Sequence, residues 1–528
     1  MGDRSPAYAS TVSENATMAR ARRLRASTKV LEALVWLIVA GSVAAIGSVH
    51  PWAYVPLWVA CLVTGLVLVL RTMTAASLKR TLGPHLVAFH LSGRWLVIDP
   101  VPEYESQGWS FDLRRPPLRS APLLWPGLAF LFWVIVQLAP LLPDGRALTS
   151  SVPDTRRGLA FVASFLLLHL AAAAVFEERV ARRRFRRFVA LLGLVLAAVA
   201  LLQAAAGAQR IYGFFQPLEH GAIFGPFVNR NHFAGYMLMV VFTALGLLAR
   251  AWRRYHRRVG DRPNLRRTMV TLSTPDGVAL VYAAVPALAA VCALIASTSR
   301  GALLAFAVGL VLAGLGLRRG EGVPAWALAV AFVVMAVSWF GLERLGARFN
   351  ETSAATPGRT VVWRDSLGRM KGHWLTGTGF NTFALSMSRT TTWALPKGAT
   401  AWPEAIESAV RAGDRPGTRA LAELAELGWY REAHNDYVQT LVEAGMPGLL
   451  IALWATVAAL GAVRRDPWLL AAVAAVLMHA FVDFDLQIPA IPVLLVCLVA
   501  IRSEAPPSRP TLNPSSPGPC RDRGAPLT

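Results

Sequence analysis

The stretch HNDYVQTLVEAGMPG, His434–Gly448, opens onto the run PGLLIALWATVAALGAV at 447–463. No charge falls in that run, and its length approaches the roughly 20 residues a helix needs to cross a hydrocarbon core. The segment before it reads as a polar helix held at the edge of an apolar one. Asn435 is an N-cap type followed by Asp436, and Gly445 and Pro447 are residues that stop helices. His434 therefore stands at a helix N-terminus, where the dipole disfavours imidazolium and favours a ring able to accept a proton. The same segment also reads as a capping histidine packed against Val438 and Leu441.

Eleven further apolar runs surround this one, at 30–49, 52–70, 121–142, 158–176, 189–206, 233–249, 278–296, 301–317, 324–341, 467–483 and 486–501. The shorter runs near 301 and 486 also fit partly re-entrant segments. Over 528 residues, 55% are hydrophobic and 16% charged, and the mean hydropathy is +0.45. That balance excludes an ordinary water-soluble core. The fold class expected is an all-α polytopic membrane protein with about twelve transmembrane helices.

Orientation follows from Lys and Arg, because basic residues in short loops resist translocation. With both termini inside, 35 of the 53 Lys/Arg lie on the cytoplasmic side, 6 lie in short outer loops and 12 in one long outer segment. Long segments translocate largely regardless of charge. The formal net charge of +22 is thus a topology signal and a means of meeting anionic lipid headgroups; nucleic acid is not an expected partner. Cys61, Cys292, Cys497 and Cys520 show no metal-ligand spacing, so neither a disulfide framework nor a zinc site is expected, and no cofactor is implied.

The organisation predicted is a cytoplasmic arm over 1–29, spans 1–9 over 30–341, and a helical periplasmic cap over 342–446. Spans 10–12 follow over 447–501, then a disordered tail rich in Pro and Ser over 502–528. The inner loop 71–120 carries no recognisable motif. No internal repeat is visible, which counts against an inverted-repeat transporter.

Helices running from outside to inside present the positive ends of their dipoles outward. Three such starts carry polar clusters: Asn229, Arg230, Asn231 and His232 in GPFVNRNHFAGY; Ser299 and Arg300 in STSRG; and the His434 motif with Asn435. Each alone reads as capping and interfacial anchoring. Together at one face they make an anion site suited to a diphosphate. In GRTVVWRDSLGRM, Arg359 stands at a helix start, while Trp363, Leu367 and Met370 share an apolar stripe; Arg364 also reads as solvent-facing. Gly377 and Gly379 in GTGFNTF permit a turn that approaches a sugar or phosphate. MHAFVDFDLQIP places His479, Asp483 and Asp485 near the outer boundary. His479 and Asp483, four apart, are expected to meet on one helix face, either tying the last spans together or orienting His434 or the acceptor.

These motifs resemble those of the O-antigen ligase and polymerase superfamily of bacterial membrane glycan transferases. The resemblance rests on NRNHFAGY, on Ser-Arg-Gly at 299–301, on GRTVVW for a Gly-Arg-x-x-x-Trp helix, and on the Gly-x-Gly-Phe turn. His434, Asn435, Gly445 and Gly448 match its ligase-like pattern of His, Asn, nine residues, Gly, two residues, Gly. It covers about 190–500 and implies a membrane-embedded, GT-C-like fold. It implies a metal-independent transferase of the bacterial inner membrane with its active site at the periplasmic face. There, undecaprenyl-diphosphate-linked glycan would pass to a glycan or lipid A-core acceptor among membrane lipids. By that resemblance His434 is the base or orients the acceptor, and Arg230, Arg300 and Arg359 hold the diphosphate. Asn231, His232, Asn435, Trp363, His479 and Asp483 support them. Repeat-unit polymerisation is the alternative activity. A twelve-span transporter or flippase is the alternative class, disfavoured because charges avoid the span centres.

Overall fold

The computed structural model describes residues 14–82, 88–91, 94–97, 108–110, 121–217, 223–260, 264–317, 359, 362–388 and 431–502. Apolar runs become helices because, away from water, a helix satisfies its own backbone N–H and C=O groups. Among the described residues, seven helices are long and apolar enough to cross a membrane: Ala19–Ala44, Pro51–Leu78, Val152–Val175, Arg179–Ala205, Arg230–Val259, Pro275–Ala296 and Asp436–Val463. Four more apolar helices are shorter, Leu124–Leu138, Arg300–Gly316, Pro467–His479 and Ala490–Ala500. The run at 324–341 lies outside the described residues. The twelve runs expected therefore do not all form full-length helices. Those at 467–483 and 486–501 lose length because the polar sequence between them folds as a loop with one 3-10 turn, Asp485–Gln487.

Helix starts follow local chemistry. Asn229, Asn435 and Asp466 each cap a helix, with a side-chain oxygen accepting from a backbone N–H two or three residues on. The Arg230–Val259 helix is the centre of the bundle, buried from His232 through Gly246. The Arg179–Ala205, Pro275–Ala296, Arg300–Gly316, Pro467–His479 and Ala490–Ala500 helices pack around it. A buried imidazole ties three helices together: His169 Nε2 accepts from Leu123 N–H at 3.2 Å, and its Nδ1 donates to the Val496 carbonyl at 2.8 Å.

Ion pairs gather at the end where the Arg179–Ala205 and Pro467–His479 helices begin. Arg184 grips Glu32 through two bonds of 2.8 and 2.9 Å. Asp466 meets Arg186 at 2.8 Å and Arg250 at 3.5 Å. Burial works against the charge on Asp466, but those two guanidiniums outweigh it and hold the carboxyl below its ordinary range.

One expectation about the polar segments holds and another is corrected. Gly445 does stop the helix that Asn435 starts: the stretch Asp436–Val463 is two helices that meet at a kink at Gly445, whose φ is 66° and ψ −173°. Neighbouring groups satisfy the backbone at the bend: Trp133 Nε1 donates to the Ala444 carbonyl at 2.6 Å, and Met446 N–H to the Trp374 carbonyl at 2.8 Å. A Cβ on Gly445 would lie 2.5 Å from the Leu375 carbonyl oxygen. Gly445→Ala is therefore expected to destabilise the protein by about 2 kcal/mol or more, read as a lowered Tm in detergent.

The apolar stripe of the 359–370 segment is different from the one expected. A helix over 362–369 buries Val362, Ser366 and Met370, whereas Leu367 is exposed. Val362 and Met370 pack with Phe383, Met387, Ala433, Leu441 and Val442 against the start of the Asp436–Val463 helix. Within 342–446, residues 342–358, 360–361 and 389–430 lie outside the described residues, so the expected cap is described only in these pieces. The 71–120 segment holds a three-stranded sheet of Ala88–Leu91, Arg94–Val97 and Gly108–Ser110. Its first two strands are antiparallel and its last two parallel.

Candidate active site

The loop between the last two helices is the hub of the polar site. Asp483, 1% exposed, points its carboxylate at three cationic or titratable groups from distant parts of the chain. His434 Nδ1 lies 3.5 Å and His232 Nε2 3.6 Å from the same oxygen, Oδ1. Arg359 lies 3.8 Å from Oδ2. The ring of Phe484 stands edge-on to both imidazoles, with centroids 4.4 Å from His232 and 4.9 Å from His434. Three segments far apart in sequence thus converge on one carboxylate.

His434 is held by its backbone and by its neighbours. Its φ of 50° puts it in the left-handed region, which is costly for a side chain with Cβ and is tolerated where surrounding contacts demand it. On one side Trp363 Nε1 donates to the carbonyl of Ala433 at 2.9 Å. On the other, the Asn435 side chain accepts from the N–H groups of Tyr437 and Val438. The Nδ1 edge of the ring is buried against Asp483 and has no hydrogen-bond partner, while the side chain as a whole is 37% exposed. The accessible part of the ring is therefore the edge carrying Nε2.

The hub loop is itself pinned to the helix that follows His434. Asp436 N–H donates to the Ala480 carbonyl, and its carboxylate accepts from Leu486 N–H at 2.9 Å and from Gln487. Tyr437 donates its hydroxyl to the Leu477 carbonyl and stacks on Phe481. These contacts make the position of Asp483 depend on the same helix start that places His434.

The expected meeting of His479 with Asp483 is corrected. The α-helix ends at His479, and although Asp483 N–H still donates to the His479 carbonyl at 3.1 Å, the imidazole bonds Asp485 through Nδ1 at 2.5 Å. Gly235 makes room for that carboxylate; an added Cβ would stand 2.5 Å from Asp485 Oδ1. His479 also lies against Gly301, one residue past Arg300, which opens the Arg300–Gly316 helix after Ser299. Arg230 opens the central helix two residues before His232, where Asn231 donates its N–H to the Asn229 cap. Arg364 faces solvent beside Asp365.

The Gly377 and Gly379 turn packs closely against the protein itself. A Cβ on Gly377 would collide with the Glu443–Gly445 backbone, and one on Gly379 with Thr149. Glu443 fastens this turn: its buried carboxylate accepts from the N–H groups of Asn381 and Phe383, each at 3.0 Å, while its carbonyl accepts from Gly379 and Gln137. Glu443 and Phe484 escaped the sequence reading. Glu443 carried a usable signal, since Asp436, Gln439 and Glu443 recur at helical spacing on the way into an apolar run. Phe484 carried none.

Chemically the arrangement is a carboxylate-backed imidazole with an accessible nitrogen, at an end of the bundle where three helices begin and arginines stand at two of the starts. Among proteins of known family, residues 285–453 match the family model for O-antigen ligase. That stretch contains Arg300, Arg359 and His434 but ends before Asp483. No curated protein matches the chain.

Proposed function

Because residues 285–453 match the O-antigen ligase family model and the chain is a multi-pass membrane protein, we propose that it is a glycan transferase acting at the end of the bundle that holds His434. The donor in this reading is a glycan on undecaprenyl diphosphate, and the acceptor is a hydroxyl on lipid A-core or a similar glycan. The site faces the periplasm from the inner membrane, within a twelve-span chain whose segment 342–446 lies on the same side. The observation that carries the reading is the His434–Asp483 contact, because it couples the ligase-like His-Asn motif to a buried carboxylate.

Asp483 receives the Nδ1 edge of His434, which leaves Nε2 to take the acceptor proton. The acceptor oxygen then forms a bond to the anomeric carbon as the bond to the diphosphate oxygen breaks, and the electron pair leaves with the diphosphate. A departing diphosphate needs charge stabilisation more than a proton. Arg300 and Arg230, at helix starts where dipoles add positive potential, supply it with Arg359. The paired role of Asp483 is to hold the ring in one tautomer and to balance the imidazolium as it forms.

A strain lacking the gene tests the function directly, through its envelope glycans resolved as a ladder on a gel. Loss of all polymer on lipid A-core supports ligation. A single capped repeat supports the polymerase alternative, and an unchanged ladder refutes both. In purified protein, Arg300→Ala is expected to lose most transfer and Arg300→Lys to regain part of it, since Lys restores charge but not the planar fork. Full transfer by Arg300→Ala would reduce this arginine to an interfacial anchor. For topology, a reporter active only in the periplasm is expected to work when fused near Gly398 and to fail at the C-terminus. The reverse pattern would move the site to the other side of the membrane.

A further inference from the structure

At the end of the bundle opposite His434 lies a cavity of about 1160 Å³. His232 and Arg253 mark the two ends on one helix, and 21 residues at the helical rise separate them by about 30 Å, the thickness of a hydrocarbon core. Among the described residues, ten arginines and one carboxylate, Asp466, line the cavity. That carboxylate already meets Arg186 and Arg250, and Asp276 nearby meets Arg254 and Arg258.

Topology alone accounts for arginines in the connecting loops, but not for their convergence on one cavity. A second feature is independent of charge. Trp468 lines the same cavity and is 4% exposed, and its buried indole N–H has no acceptor. The Arg186 Nε–H, also at the cavity, is buried without an acceptor as well. Buried donors left unmet are costly and call for a partner. The third feature is the wall toward the middle of the helices, where Leu191, Val278 and Tyr282 line the cavity and are exposed. An occupant is thus wanted that is anionic at the rim, accepts hydrogen bonds from Trp468 and Arg186, and is apolar beyond.

We propose that this cavity holds the phosphate-bearing headgroup of an anionic phospholipid from the leaflet at that end, with its acyl chains against Leu191 and Tyr282. Basic pockets between membrane helices suit such headgroups because several guanidiniums share one diffuse negative charge out of bulk water. The site is separate from the transfer site and does not depend on the reading given to it.

The test is thermal unfolding of the purified full chain in a neutral detergent with added lipid. Phosphatidylglycerol and cardiolipin are expected to raise Tm by a few degrees, as a ligand of the folded state does, while phosphatidylcholine and inorganic phosphate leave it unchanged. Arg183 and Arg187 line the cavity and are exposed, so the double variant Arg183→Gln/Arg187→Gln is expected to fold with an unchanged Tm in detergent alone. It is expected to lose most of the lipid-induced rise. Trp468→Phe, which keeps an aromatic ring and removes the donor, is expected to lose part of it. A full rise in the double arginine variant overturns the proposal. So does an equal rise with phosphatidylcholine or with inorganic phosphate.

Discussion

His434→Ala is expected to lower transfer from a purified polyprenyl-diphosphate donor by roughly 10²–10⁴-fold, the usual contribution of a positioned general base. Donor affinity is expected to stay within a few-fold of wild type, because the diphosphate is held by arginines. The ring makes few contacts that folding needs: its Nδ1 faces Asp483 at 3.5 Å, and the Asn435 cap and the Trp363 bond to Ala433 serve the backbone on either side. The variant should therefore unfold near the wild-type temperature. Added imidazole is expected to restore part of the rate, a response that a merely structural histidine would not give. Near-normal turnover in His434→Ala, or a loss traced wholly to donor binding, would return His434 to the role of a packed histidine.

Asp483→Asn removes the charge while keeping the shape, and its expected loss is of the same order as that of His434→Ala. An amide at this position can still accept at one atom, but it can also donate, which allows the wrong tautomer of His434 and leaves nothing to balance imidazolium. The decisive measurement is the double variant. If Asp483 acts through His434, the pair should lose little more than either single change, because residues that act as a unit are strongly non-additive. Losses that multiply would separate Asp483 from His434 and assign it to Arg359 or His232, which share its carboxylate.

Much of the membrane architecture was legible from composition and periodicity. Apolar runs can only be helices or barrel strands in lipid, and runs of this length without alternation are helices. Caps were legible too, because Asn229 and Asn435 act on backbone groups two and three residues away. The polar helix starts likewise needed no tertiary information to be noticed. The break at Gly445 was legible as well, since Gly and Pro stop helices, whereas what seats it was not: Trp133 and Trp374 supply partners for the backbone groups at the kink, and a second helix starts beyond it.

The sequence by itself determined that this is a multi-pass helical membrane protein with histidines and arginines gathered at helix starts, since those properties depend on short-range spacing and on solvent. Only the tertiary structure decided which carboxylate meets which imidazole. His479 and Asp483 satisfy a helical spacing, but the chain leaves the helix at His479. Asp483 then faces His434, His232 and Arg359, while Asp485 takes His479. Such pairings are set by where a ten-residue loop comes to rest between packed helices. The contacts that seat it, Asp436 on Leu486 and Gly235 against Asp485, join residues fifty and two hundred and fifty positions apart. No local pattern encodes them.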